Sequence, residues 1–128
     1  MKLLLDTCTF LWIIQGSDEL SVQAKQLFVE PENEIYLSVI SLWETLIKCN
    51  LGCLSLPKPT SQFLTEQRQL HRIESLALEE NDIIHLPQLP EYHKDPFDRM
   101  LICQAIANSL IILTPDKEIR QYPVVTIW

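Results

Sequence analysis

The apolar run Leu3-Leu4-Leu5 stops at Asp6, and Leu110-Ile111-Ile112-Leu113 stops at Thr114. Short continuous apolar runs closed by polar residues mark strands buried on both faces, so 2–6 and 110–114 are expected to be central strands. After the first, 7–15 reads as a helix closed by Gly16, and Ser21 caps a second helix to about Val29, with Ala24, Leu27 and Phe28 on one face. A short strand follows at 34–37. Ser38 then caps a helix in which Val39, Leu42, Trp43, Leu46 and Ile47 recur at i, i+3, i+4 spacing until Gly52. Beyond the proline-marked connector 54–60, a polar helix is expected over 61–71, a strand over 73–76 and a short helix over 78–86. A loop over 87–95 leads to Asp95-Pro96-Phe97-Asp98, which opens a helix running to about Asn108, with Asp95 at the N-cap, Pro96 at the first helical position and Asp98 at N3. A turn or short helix from Asp116 and a last strand at 123–127 complete the pattern. Strands alternating with helices predict one α/β domain over residues 1–128, three layers deep, with a central, mainly parallel sheet.

Composition narrows the class. In 128 residues, 47% are hydrophobic and only 2 are Gly, which opposes disorder. Apolar runs such as 10–14 fall far short of a membrane span. Asp6 breaks the leading apolar run, and no small-residue cleavage site follows, so a cytoplasmic protein is expected. Cys8, Cys49, Cys53 and Cys103 contain no Cys-x-x-Cys pair. Free buried thiols are expected, since Cys49, Cys53 and His71 match no common zinc spacing. A net charge of −7 opposes an electrostatically driven nucleic-acid binder. Lys48, Arg68, His71, Arg72, His93, Lys94 and Arg99 are the candidates for a local basic strip.

Four acids stand where a carboxylate contributes little to a core. Asp6 and Asp116 follow the two central strands, Asp98 lies at a helix start, and Glu44 falls at the rim of the buried side of its helix, beside Ile40, Ile47 and Leu51 at about 100° per residue. Singly, each has a local explanation: Asp6 as a cap, Glu44 paired with Lys48, Asp98 in a helix-start arrangement, Asp116 in a turn. Jointly, they occupy regions that a parallel sheet brings to its carboxyl edge, where ligands bind. Clustered carboxylates repel unless a cation is present. Mg²⁺ or Mn²⁺ suits such hard oxygen ligands and suits phosphodiester hydrolysis. No nucleotide-binding Gly-rich loop, His-Glu-x-x-His pair or Gly-x-Ser-x-Gly elbow occurs. A receiver-like phosphoacceptor domain also uses strand-end acids, but Lys117 directly follows Asp116, which does not suit it.

The residues Leu4-Leu5-Asp6-Thr7, Ser41-Leu42-Trp43-Glu44, His93-Lys94-Asp95-Pro96-Phe97-Asp98-Arg99 and Leu113-Thr114-Pro115-Asp116 resemble the PIN-domain ribonucleases, and within them the VapC-type toxins of bacterial toxin-antitoxin pairs. The resemblance covers nearly the whole chain. It implies a Mg²⁺-dependent endoribonuclease, with Mn²⁺ as substitute, in which Asp6 and Asp98 are the most direct ligands and Glu44 and Asp116 complete the shell. It also implies RNA as substrate, 5′-phosphate and 3′-hydroxyl ends, a homodimer and a small protein antitoxin. Thr7 and Thr114 are candidates to orient ligands or water, and Arg99 to meet substrate phosphate. Cys8 stands where this branch usually has His. A PIN-like binding module with impaired catalysis, acting through dimer or antitoxin contacts, is the alternative. Helix 7–15, apolar all round at Phe10-Leu11-Trp12-Ile13-Ile14, could supply a groove for a partner helix. Trp12 and Trp43 are expected in core or interface.

Overall fold

The computed structural model describes residues 1–128. Five strands, β1 (Lys2–Leu5), β2 (Glu34–Ser38), β3 (Glu74–Leu76), β4 (Ile111–Leu113) and β5 (Thr126–Ile127), form one sheet in the order β3-β2-β1-β4-β5. Every pairing is parallel, with Leu4 opposite Tyr36 on one side and Ile112 on the other. Helices α1 (Thr7–Gln15), α2 (Val22–Val29), α3 (Val39–Asn50), α4 (Thr60–Leu70), α5 (Glu80–Ile83) and α6 (Pro96–Asn108) make the crossovers.

Alternation along the central strands builds two cores. Leu3, Leu5, Leu37 and Leu113 pack with Phe10, Ile13, Ala24 and Leu64 from α1, α2 and α4. Leu4 and Ile112 turn to the other face and meet Leu101, Ile102 and Ala105 of α6. A sheet covered on both faces accounts for β1 being apolar without alternation. Leu4 is wholly buried, so Leu4→Ala should lower stability by about 3 kcal/mol through lost burial and the cavity left behind. A urea unfolding midpoint unchanged from wild type would contradict this packing.

The helix boundaries follow their capping residues. Ser21 and Ser38 accept hydrogen bonds from the backbone of Ala24 and Ile40, and Gly16 closes α1 in the left-handed conformation. Only a single turn of α-helix, Glu80–Ile83, forms within 78–86, followed by a 3₁₀ turn at Leu86–Gln88, because Pro87 supplies no N–H. The last two strands are shorter than the apolar runs that predict them.

Helix α3 corrects the expected phase. Its buried residues are Ile40, Ser41, Glu44 and Thr45, while Val39 is exposed and Trp43 is 57% exposed. Leu42 and Leu46 pack at the margin of the α1 core. The inward side faces the carboxyl end of the sheet, where a polar network takes the place of apolar packing. Trp43 is therefore not a core residue; it stacks edge-on against Phe97 at 5.1 Å. Trp12 is half-buried against Trp128, 5.8 Å away. The thiols divide as well: Cys103 is buried, Cys8 and Cys49 are half-buried, and Cys53 is exposed, contrary to the expectation of uniformly buried cysteines.

Candidate metal centre

Asp6, Glu44, Asp98 and Asp116 line one cleft of about 240 Å³ together with Thr7, Cys8, Leu11, Lys48 and Asp95. It opens at the carboxyl ends of β1 and β4, where side chains from successive crossovers meet. A larger hollow of about 790 Å³ lies around Phe28–Pro31, Asn33–Tyr36 and His71–Ser75. The acids gather in the smaller cleft, not in the larger hollow.

The local readings of these acids hold alongside the shared one. Asp6 is the N-cap of α1: Thr9 N–H donates to its Oδ1 at 2.9 Å. The Thr114 hydroxyl donates to Asp6 Oδ2, and the Cys8 thiol lies 3.3 Å from Oδ1. Burial raises the Asp6 pKa, although the hydrogen bonds from Thr114 and Thr9 oppose the rise. Thr114 also accepts from Asp116 N–H at 3.0 Å, so one hydroxyl joins the acids that follow β1 and β4. Burial and the neighbouring Asp6 carboxylate drive the Cys8 thiol upward, which keeps it protonated.

Glu44 lies deeper than the rim position expected of it, at 4% exposure. Thr7 Oγ1 donates to its Oε1 at 2.7 Å and Lys48 Nζ to its Oε2 at 2.6 Å. The hydrogen bond to Glu44 raises the Lys48 pKa. Both Glu44 oxygens are thus engaged by the chain's own donors. Lys48 is the basic residue lining the acid cleft; His93, Lys94 and Arg99 line a separate hollow, and His71 and Arg72 line the large one. Arg68 turns inward to Ile73 O at 2.8 Å. The seven basic candidates do not form one strip.

Asp98 and Asp116 are arranged differently. Asp95 caps α6 through Phe97 N–H at 2.8 Å, which turns Asp98 on the first helical turn toward the cleft. His93 Nε2 lies 2.8 Å from Asp98 Oδ2 and 3.3 Å from Asp116 Oδ2, and Nδ1 lies 2.9 Å from Glu118 Oε2. The ring's backbone is held as well: His93 N–H donates to the Tyr122 hydroxyl at 2.8 Å. Arg99 Nη1 donates to Pro90 O at 2.9 Å and to the Tyr122 hydroxyl at 3.2 Å. Arg99 is accordingly a brace of the loop preceding α6.

The charges in this corner are unbalanced. Burial, with Asp95 and Glu44 nearby, raises the Asp98 carboxyl to about 7, against the opposing pull of His93. Burial alone would lower His93, but Asp98, Asp116 and Glu118 outweigh it and raise the imidazole. Nε2 and Asp98 Oδ2 are within hydrogen-bonding distance, so a proton on either one serves both groups. His93 Nε2 and the carboxylate oxygens of Asp98 and Asp116 all lie within 4.8 Å of one another. This donor set fits a divalent cation: the hard oxygens are present, their repulsion is incompletely relieved, and Lys48 is already engaged by Glu44. Cys49, Cys53 and His71 form no comparable group.

The sequence matches the model of the PIN domain over residues 3–125. The chain belongs to the PIN domain family. No curated protein matches it. Among solved structures, this PIN domain resembles a chain of VapBC2 from Rickettsia felis bound to a DNA fragment from their promoter, with TM-score 0.74 and 20% identity over 100% of this chain and 99% of that one. It also resembles a chain of the DNA-bound VapBC from Salmonella typhimurium, with TM-score 0.72 and 20% identity over 99% of this chain and 97% of that one. VapBC-1 from nontypeable Haemophilus influenzae gives TM-score 0.70 and 16% identity, covering 99% and 97% of the respective chains. At these identities the likeness is one of fold.

His93, expected only within a basic strip, and Glu118, to which the sequence assigns nothing, meet the acids in the fold. His93 stands in the segment that carries the family resemblance, five residues before Asp98, but only the fold of the loop shows that its ring reaches back over the helix start.

Proposed function

We propose that this chain is a divalent-metal-dependent endoribonuclease of the VapC toxin type, acting on RNA and held by a cognate antitoxin. The observation that carries the reading is the convergence of Asp6, Glu44, Asp98 and Asp116 on one cleft at the carboxyl edge of a parallel sheet. PIN domains are in general metal-dependent nucleases, and the fold-level neighbours are VapBC complexes.

Asp98, Asp116 and Asp6 would hold Mg²⁺ or Mn²⁺, with Thr114 fixing the spacing of Asp6 and Asp116. Bound there, the cation supplies charge to a phosphate oxygen and lowers the pKa of water. Thr7 and Lys48 hold Glu44 against the cleft wall, and the half-exposed Lys48 ammonium is placed to meet a substrate phosphate. Leu11, Trp12 and Ile14 remain half-buried on α1, and Val39 and Trp43 are exposed on α3. Those two apolar faces suit an antitoxin segment and a second copy of the chain. No helix is long and apolar enough to cross a membrane, and the proposed action on RNA supports a cytoplasmic reading.

The engagement of both Glu44 oxygens by Thr7 and Lys48 favours a second reading, a PIN module with impaired catalysis. Cleavage of single-stranded RNA by the full chain discriminates the two. The nuclease reading expects cleavage in Mg²⁺ or Mn²⁺, none in EDTA, and at least a hundredfold loss in Asp6→Asn with the circular dichroism spectrum unchanged. Metal-independent cleavage, or equal cleavage by Asp6→Asn, would exclude the mechanism. No cleavage by wild type would favour the module.

A further inference from the structure

The geometry points to His93 as a nitrogen ligand of the cation, oriented by Glu118, which makes the site selective for Mn²⁺ over Mg²⁺; the inference rests on the metal-dependent reading above. Three donors face one another: His93 Nε2 is 2.8 Å from Asp98 Oδ2 and 3.3 Å from Asp116 Oδ2. Ligands at right angles about 2.1 Å from an octahedral cation are themselves about 3 Å apart. The two separations bracket that value and all three atoms lie within 4.8 Å of one another, so a cation seated over the triangle would reach all three after adjustment of the side chains. It would replace the Nε2–Asp98 hydrogen bond.

The other side of the ring supports the assignment independently. Glu118 Oε2 lies 2.9 Å from Nδ1, closer than the Asp95 N–H that approaches the same nitrogen at 3.3 Å. A metal-bound histidine characteristically donates its second ring N–H to a carboxylate, which fixes the tautomer and aims the remaining lone pair at the metal. With the proton on Nδ1, the Nε2 lone pair faces the acids, with Asp98 Oδ2 at 2.8 Å and Asp116 Oδ2 at 3.3 Å. The ring is only 10% exposed, and its backbone is tied to the buried Tyr122. It is therefore held in place before any ligand arrives.

The consequence is selectivity. Imidazole suits transition metals, whereas Mg²⁺ prefers oxygen and keeps its waters. A purely carboxylate centre would discriminate little between Mg²⁺ and Mn²⁺, but a centre with one imidazole favours Mn²⁺.

Calorimetry and electron spin-echo spectroscopy of Mn²⁺ on the full, metal-stripped chain test this without any activity assay. Wild type should bind Mn²⁺ at least about tenfold more tightly than Mg²⁺ and show the nitrogen coupling of a directly bound imidazole. His93→Ala and His93→Gln should lose that coupling and weaken Mn²⁺ binding by about 10- to 100-fold while changing Mg²⁺ binding less; Glu118→Gln should weaken Mn²⁺ by about tenfold. Thermal melts of the metal-free variants establish folding, and His93→Gln retains a polar side chain should His93→Ala unfold. Mn²⁺ binding that Asp98→Asn abolishes, but without nitrogen coupling in wild type, would overturn the role of His93 and leave the carboxylate centre standing. Absence of Mn²⁺ binding to folded wild type at millimolar concentration would overturn both.

Discussion

Asp98→Asn is expected to reduce RNA cleavage on the order of 10³-fold, corresponding to about 4 kcal/mol of transition-state stabilisation, while the metal-free variant at pH 8 melts no lower than wild type. The two halves of this result have one cause. Asp98 is a carboxylate whose charged form burial, Asp95 and Glu44 disfavour, with a pKa raised to about 7. A cation would gain by neutralising it, and without a cation its charge is a burden on the fold. The Asn amide keeps the shape, and its oxygen can still accept a hydrogen bond from His93 Nε2, now 2.8 Å from Asp98 Oδ2. It removes the charge that a cation requires. Cleavage assays in Mn²⁺ and Mg²⁺, with melts in EDTA, measure both halves. A variant that cleaves normally would remove Asp98 from the mechanism, whereas one that loses activity together with several degrees of stability would show a structural carboxylate instead.

The sheet was legible because its signal is local. Leu3-Leu4-Leu5 and Ile111-Ile112-Leu113 are continuous apolar runs of strand length, and Ser21, Ser38 and Asp95 stand as caps at the helix starts. The phase of α3 was legible only in part. Its apolar stripe marks the face that ordinarily packs inward, yet Ser41, Glu44 and Thr45 are buried and Trp43 is exposed. Periodicity assumes an apolar interior. Here the inward neighbours include Thr7, whose hydroxyl lies 2.9 Å from Ser41 Oγ and 2.7 Å from Glu44 Oε1. The burial of Glu44 follows from its angular position beside Ile40, which does not depend on the other apolar neighbours.

His93 and Glu118 were not legible for a different reason. Their meeting depends on the loop before α6 being fastened to Tyr122, 29 residues further along the chain from His93, and on the turn after Asp116, where Glu118 N–H donates to Asp116 Oδ1 at 2.8 Å. Neither contact has a periodic signature. A basic residue in a charged loop reads from sequence as solvated or as facing phosphate. In the fold, His93 Nε2 lies 2.8 Å from Asp98 and 3.3 Å from Asp116.

The same ring makes stability depend on pH and on metal together. Metal-free wild type should melt about 5 °C lower at pH 8 than at pH 5, a change on the order of 2 kcal/mol. Between about pH 4 and 7, folded Asp98, raised to about 7, binds a proton that the unfolded chain has released, so folding is favoured at the acidic end and less so as pH rises. His93 acts in the same direction: its pKa is raised, despite burial, by Asp98, Asp116 and Glu118, so its stabilisation is complete below about 6.5 and lost through the folded value. The total is smaller than the two shifts taken separately, because His93 and Asp98 share a proton. A divalent cation competes with that proton for the same atoms and binds more tightly as pH rises. At a hundredfold excess over its Kd it adds roughly 2.7 kcal/mol, which should offset the loss at pH 8 and do little at pH 5. Asp98→Asn should flatten the metal-free profile and abolish the effect of Mn²⁺. A metal-free melting temperature that rises from pH 5 to pH 8 would mean that neither Asp98 nor His93 holds a raised pKa in the fold.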